Sequence, residues 1–178
     1  QAMLIAARLY RSMPFDVQAD FAPISLTAWG TQMLVTHAKS GIRNVGELVA
    51  MAKASPGKLT YSTGGAGSSF HITTETFNGV TGIQMLHVPY KTNAAALTDL
   101  IGGRVTVTVS AVHVVLPHVK AGTIVPLAVI SPRRHVKVPD VPTMAEAGVA
   151  GVDDEFWHAM WAPKGTPEAI IARIGAEL

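Results

Sequence analysis

The chain has no cysteine, few aromatic residues and few charges. The lack of cysteine excludes disulfide bonds, thiolate metal sites and a cysteine nucleophile. Charged residues make up 15% and aromatic residues 6% of the 178 residues, whereas hydrophobic residues make up 48%. A chain of this composition buries a sizeable core and is not disordered. Its length fits one domain, or one domain with part of another.

Long hydrophobic runs and clusters of basic charge are also missing. The most apolar stretch, residues 123–130, is too short to span a bilayer, and the first residues do not form a signal-peptide pattern. We therefore expect a mature or cut chain. The net charge is +2, and the only tight basic group is Arg133, Arg134 and His135. A nucleic-acid-binding face needs a stripe of lysine and arginine, so we predict no nucleic-acid partner.

Familiar catalytic and nucleotide-binding fingerprints are absent as well. The sequence has no G-x-x-x-x-G-K-[ST] motif, no G-x-S-x-G elbow and no H-E-x-x-H pair, and Phe70 stands where G-x-G-x-x-G would need its third glycine. We predict no catalytic residue, no metal and no cofactor. The seven histidines are interpreted as surface or hydrogen-bonded residues, except His71, which lies one turn beyond a glycine-rich stretch.

That glycine-rich stretch is the main positive signal. Residues 59–62 read as a strand, and the glycines that follow allow close approach of another molecule to the backbone. Ser68 or Ser69 can cap a following helix, and Gly79 is expected to end it. A strand, a glycine turn and a capped helix start concentrate free N–H donors at a positive helix end, which favours binding of a carboxylate or phosphate. A purely structural turn is the open alternative.

Strand and helix patterns alternate along the rest of the chain. The predicted strands are 33–36, 59–62, 83–88, 105–109, 125–130 and 156–161. Helices are predicted at 2–13 and 94–101 and after the N-cap Asn44. Two more are predicted at the capping box Thr143–x–x–Glu146 and after Thr166, with Thr166 at the N-cap and Pro167 at N1. Residues 112–121 fit strand or helix. This alternation predicts an α/β fold with a mostly parallel sheet flanked by helices.

In such sheets, ligands bind beyond the carboxyl ends of the strands. The glycine turn, Pro89–Tyr90 and Ser110 all follow or end predicted strands, so we expect them to converge. The three tryptophans, Trp29, Trp157 and Trp161, have two interpretations: core packing, or indole walls of a ligand cleft.

Short motifs spaced over most of the chain carry a family resemblance. They occupy residues 15–16, 20–23, 56–61, 65–68, 87–91, 96–100, 102–103, 116–118, 120–122, 127–129, 139–143, 145–148 and 162–167. In this order they resemble the Bug-type extracytoplasmic solute receptors, the substrate-binding components of tripartite tricarboxylate transporters. The resemblance runs from about Phe15 to the end of the chain.

The resemblance implies a fold like that of type II periplasmic binding proteins, with two α/β lobes closing on a small organic acid. On that reading, residues 1–28 are part of lobe one and the hinge, residues 29–131 are lobe two, and residues 132–178 return to an incomplete lobe one. Compared with the family, we expect the chain to be truncated at both ends, and the uncovered lobe-one remnant to self-associate.

The resemblance also implies a ligand-binding set in lobe two, which comprises Thr63, Gly64, Gly65, Ala66, Gly67, Ser68, Ser69, His71 and Ser110. Ser110 stands where many relatives have an aspartate, which favours plain or aromatic carboxylates over amino acids. Thr92 replaces a common glycine in the neighbouring loop. The implied partners are a small organic acid and membrane transporter subunits, and the implied location is the periplasm. A hydrolase of α/β fold and the effector lobe of a LysR-type regulator remain alternatives.

Overall fold

The structure, a computed structural model, describes residues 2–9 and 12–178. Its helices are α1 (Ala2–Leu9), α2 (Val45–Ala54), α3 (Ser69–Thr81), α4 (Asn93–Ile101), α5 (Val112–Lys120) and α6 (Glu168–Ala176). Its strands are β1 (Phe21–Gly30), β2 (Gln32–His37), β3 (Thr60–Thr63), β4 (Leu86–Pro89), β5 (Val107–Ala111), β6 (Ile124–Ile130) and β7 (Phe156–Pro163).

The chain forms two compact units. The first comprises Gln1–Gly30 and Phe156–Leu178, and the second comprises Thr31–Glu155. Residues 132–155, which the sequence reading assigned to a return into lobe one, lie in the second unit. The assignment of these units to lobes of a two-lobed receptor stays a prediction.

The second unit is built on a five-stranded sheet with the order β4-β3-β5-β2-β6. β3 pairs in parallel with β4 and β5, whereas β2 runs antiparallel to its neighbours β5 and β6. Four of the five strands therefore run in one direction, and the predicted α/β class with a mostly parallel sheet is confirmed. The sheet is mixed because β2 alone is reversed.

Helices cover this sheet and bury its strands. Leu97 and Leu100 of α4, with Val112 and Val115 of α5, share a core cluster with Met33 and other strand residues, while α3 packs against β3 and β5. The strand predicted at residues 105–109 is present as β5, and alternating valines and threonines would suit a half-buried strand, but every residue of β5 is buried. Its threonine tolerates burial because the Thr108 hydroxyl donates to the Ser62 carbonyl at 2.7 Å.

The structure decides one open local prediction and corrects others. Residues 112–120 form a helix, α5, with Pro117 inside it. The Thr143–Glu146 capping-box bonds form, at 2.8 and 3.1 Å, but they close a turn rather than a helix. At α6 the N-cap is Pro167, and the Thr166 hydroxyl instead donates to the Pro163 carbonyl. At the start of the chain a helix is described over Ala2–Leu9 and the predicted helical positions 12 and 13 are not helical, while positions 10 and 11 lie outside the described residues.

The first unit holds a two-stranded antiparallel sheet in which β1 pairs with β7. α6 packs against β1 but has no buried residue. Trp29 and Trp157 are register partners on the two strands, and Trp29 is 72% exposed. Core packing is therefore the wrong interpretation for Trp29. No helix of the described ranges, 2–9 and 12–178, has the length and hydrophobicity needed to cross a bilayer.

Candidate functional site

The three parallel strands β4, β3 and β5 end side by side at one edge of the sheet. Thr63 at the end of β3 is the register partner of Pro89 at the end of β4, and β5 lies on the other side of β3. Each strand continues into a helix whose N-terminus lies at this edge: α3, α4 and α5. The edge is therefore the expected place for an anion, since helix N-termini offer unpaired N–H donors and a positive dipole end.

The loop of residues 63–69 between β3 and α3 is tightly turned. Gly65 and Gly67 adopt φ angles of +126° and +78°, a region that side chains disfavour. The Gly65 N–H donates to the Thr63 hydroxyl at 3.2 Å, and the Ser68 N–H donates to the Gly65 carbonyl at 3.3 Å. These bonds fold the loop, which we call the glycine loop, back toward the end of β3.

Ser68 is the N-cap of α3. Its hydroxyl accepts from the His71 N–H at 3.2 Å. Of the two serines that the sequence offered as caps, Ser68 and not Ser69 is therefore the cap. The sequence predicted that Gly79 ends the helix, and this prediction was wrong. The helix continues through Val80 to Thr81, and its C-cap is Gly82, which takes the left-handed conformation at φ +66°.

The glycine loop lies against the start of α4. The Tyr90 N–H donates to the Thr63 carbonyl at 2.9 Å. A Cβ atom on Gly64 would lie 2.3 Å from Oδ1 of Asn93 and 2.9 Å from its backbone nitrogen. Thr92 caps α4 by accepting from the Ala95 N–H at 3.2 Å. The glycine at position 64 therefore lets the loop approach the N-terminus of α4, and two helix starts meet at the site.

Two imidazoles and a phenol stack beside the loop. His87 on β4 lies against His71 of α3, with ring centroids 4.3 Å apart, and against Tyr61 of β3 at 4.7 Å. The Tyr61 hydroxyl donates to Glu75, which also accepts from the Asn78 side-chain amide at 3.2 Å. Burial, followed by the Glu75 hydrogen bond, raises the pKa of Tyr61 far above its ordinary value. Burial and the nearby His71 lower the pKa of His87, against a weaker opposing effect of Glu75.

Both histidines contact the glycine loop directly. The Gly67 N–H donates to Nδ1 of His71 at 3.1 Å, and the Thr63 hydroxyl lies 2.7 Å from Nε2 of His87. The two imidazoles therefore hold the loop by contacts at Thr63, where it starts, and at Gly67, near its middle. Within the described part of the chain, no three histidine, aspartate or glutamate side chains are grouped in a way that could hold a metal ion.

The sequence-predicted residues fall into two groups. Eight of them share the glycine loop and the first turn of α3: Thr63, Gly64, Gly65, Ala66, Gly67, Ser68, Ser69 and His71. Ser110 is one strand over, on β5, where it is 5% exposed and faces Met33 in register. Their role in binding stays a prediction.

Sequence reasoning missed Tyr61, His87 and Asn93. Tyr61 and His87 are register partners across β3 and β4, a relation that becomes visible only when the strand pairing is known. Asn93 is the residue after the Thr92 cap, and nothing in its local sequence indicates that Gly64 packs on it. The sequence did contain an indication for His87, because this residue lies in the predicted strand that leads to Pro89, and Pro89 was expected to converge with the glycine loop.

Comparison with known proteins assigns the family. The model of the tripartite tricarboxylate transporter family receptor, TctC, matches residues 1–177. The chain belongs to this family. The resemblance seen in the short motifs is thereby confirmed, and TctC-family receptors are periplasmic solute-binding proteins.

Individual TctC-family relatives agree with this assignment. The chain is 35% identical to a protein from the tcbD-tcbE intergenic region of a Pseudomonas species, over 95% of this chain and 51% of that one. It is 34% identical to BugT of Bordetella pertussis, over 99% of this chain and 54% of BugT. The chain thus spans about half the length of the curated relatives that it matches.

Solved TctC-type structures have the same fold. A Rhodopseudomonas palustris protein solved with adipate superimposes with a TM-score of 0.88 at 36% identity, covering 93% of this chain and 55% of that one. MatC from the same organism, solved with malate, has a TM-score of 0.90 at 25% identity. The match covers 97% of this chain and 58% of MatC. The predicted kinship with periplasmic binding proteins is therefore confirmed.

Proposed function

We propose that this chain is the ligand-capturing part of an extracytoplasmic receptor that binds a small organic carboxylate and delivers it to membrane subunits of a tripartite tricarboxylate-type transporter. The proposed location is the periplasm, and the proposed role is binding without chemical conversion or a cofactor. Adipate and malate in two related structures support the carboxylate class. Membership of the TctC family supports the transporter partnership.

The observation that carries this proposal is the glycine loop at the shared carboxyl edge of β3, β4 and β5. The loop is turned by two glycines with positive φ, it leads into α3 at the N-cap Ser68, and it lies against the start of α4. Backbone N–H groups and two helix dipoles therefore favour a carboxylate there without requiring a cationic side chain. In this proposal the binding residues are those of the glycine loop, with His71 and Ser110.

An NMR titration of the chain with adipate, malate, benzoate and glutamate tests the proposal, because amide shifts detect weak binding. We expect the carboxylates to shift the Gly65, Gly67 and Ser68 amides, and the ligand signals to stay chemically unchanged with time. Since Ser110 supplies no carboxylate for an ammonium group, glutamate should bind more weakly than adipate. Absence of loop shifts with every acid, or turnover of an added ester, would contradict the proposal.

A pair of matched variants separates binding from folding. Gly67→Val places a branched side chain on the loop, whereas Gly122→Val places one at the similar φ of +70°, beyond the far end of α5, where no atom lies within 4 Å. Both variants carry the same kind of backbone strain. Only Gly67→Val should lose the carboxylate-induced shifts, and equal binding by both variants would make the loop purely structural.

A further inference from the structure

The Gly67 N–H, a central donor of the proposed anion site, is held by an imidazole. It donates to Nδ1 of His71 across 3.1 Å. A ring nitrogen that accepts a hydrogen bond carries no proton, so this arrangement is that of a neutral imidazole with its proton on Nε2. The hydrogen bonding of the glycine loop therefore depends on the protonation state of His71.

Beside His71 the structure places a second imidazole, a phenol and a carboxylate. The ionisable groups that face it are His87 on β4, Tyr61 on β3 and Glu75 one turn further along α3. β5, which also packs against α3, contributes no ionisable side chain. Burial and the neighbouring His71 lower the pKa of His87. The phenol is kept neutral by burial, and Glu75 is the one anion in the group.

We propose that His71 couples carboxylate binding at the glycine loop to the uptake of a proton. This inference rests on the proposed function. The incoming carboxylate accepts the Gly67 N–H, which leaves Nδ1 without its donor. Nδ1 then takes a proton from the solvent, and the resulting imidazolium donates to the carboxylate. No other bond forms or breaks, and the added positive charge balances the negative charge of the ligand.

The coupling has a definite sign. A charge-assisted hydrogen bond to the carboxylate favours the protonated form of His71, so the bound state holds the proton more tightly than the free state. Carboxylate affinity then rises as pH falls through the imidazole range, by up to about tenfold per pH unit. A loop that only needed a well-placed ring would bind independently of pH while the ligand stays ionised.

The direct test is ¹⁵N NMR of the histidine side chains in the 178-residue chain, with adipate as the probe. Before adipate is added, at about pH 7.5, His71 should be neutral with the proton on Nε2. With saturating adipate, both ring nitrogens should be protonated and the Gly67 amide should shift. If the Gly67 amide shifts while His71 stays neutral, the coupling is overturned and the carboxylate site remains. If adipate and malate shift no loop amide, the proposed function itself is overturned.

A conservative variant gives the second readout. In His71→Asn the side-chain oxygen stands where Nδ1 stood, so it can still accept the Gly67 N–H but cannot take up a proton. Its adipate affinity should be flat between about pH 6 and pH 8.5, where the parent's affinity falls with rising pH. His118→Asn, in the last turn of α5, is the matched control and should keep the parental pH dependence. A flat parental profile, or a variant that follows the parent, would overturn the inference.

Discussion

At the scale of single residues, close packing requires a glycine at position 64 but not at position 79. A Cβ on Gly64 meets the backbone nitrogen of Asn93 at 2.9 Å, whereas a Cβ on Gly79 meets nothing within 4 Å. We expect Gly64→Ala to lower the free energy of unfolding by about 1–3 kcal/mol through overpacking. Gly79→Ala, inside α3, should raise it by about 0.5–1 kcal/mol. Urea unfolding measures both, and equal effects would contradict the packing described for Gly64.

His87 gives a residue-scale prediction about pH. Burial lowers its pKa in the folded protein, so the stabilisation from its neutral form is complete above the unfolded value of about 6.5 and is lost as pH falls below it. The parent should therefore unfold at lower urea concentration at about pH 5.5 than at about pH 7.5. His87→Gln should reduce this loss of stability at low pH. It should not abolish the loss, because burial also lowers the pKa of His37. An unreduced loss in His87→Gln would refute the assignment, and His118→Gln serves as the control.

At the scale of secondary-structure elements, two helices with comparable caps differ in what their N-termini face. Asn44 caps α2 by accepting from the Glu47 N–H at 2.8 Å, and Ser68 caps α3 beside the glycine loop. Asn44→Ala and Ser68→Ala should each cost about 1 kcal/mol of stability. Only Ser68→Ala should also weaken adipate binding, which the amide titration measures. If both variants bind adipate as the parent does, the start of α3 does not contribute to the site.

At the scale of the whole molecule, exposed apolar residues are concentrated in the first unit. Among the described residues, eight of fourteen exposed large hydrophobic residues lie there: Leu4, Leu9, Leu26, Trp29, Met160, Ile170, Ile174 and Leu178. In the described part of the chain, neither β1 nor β7 pairs with a third strand. Open strand edges and apolar patches favour association, so we expect these 178 residues to self-associate through the first unit.

Light scattering over a dilution series tests this expectation. The mass should exceed 18.7 kDa at high concentration and approach it on dilution. Trp29→Lys should shift the series toward the monomer, because it places a charge on the exposed face of β1. Val136→Lys, at a residue that is 87% exposed in the second unit, should leave the series unchanged. A monomer at every concentration would contradict the prediction.

Features with local causes could be predicted from residues that are neighbours in the chain. Asn44 with Glu47 formed the predicted cap because both partners lie within one helical turn. Ser68 caps α3 for the same reason, and the glycines at 65 and 67 take the positive φ angles that their residue type permits. The alternation of strand and helix patterns predicted the α/β class, and the ordered motifs predicted the family.

Contacts between residues far apart in the chain depend on long-range packing and strand pairing. The stack of Tyr61, His87 and His71 exists because β3 and β4 pair in one particular register, and a shift of β4 by one residue would move His87 to the other face of the sheet. The burial of β5 and the reversed direction of β2 also depend on long-range packing. Helix ends and strand partners are chosen by such contacts across the sheet, so the chemistry of the site could not be read from neighbouring residues in the chain.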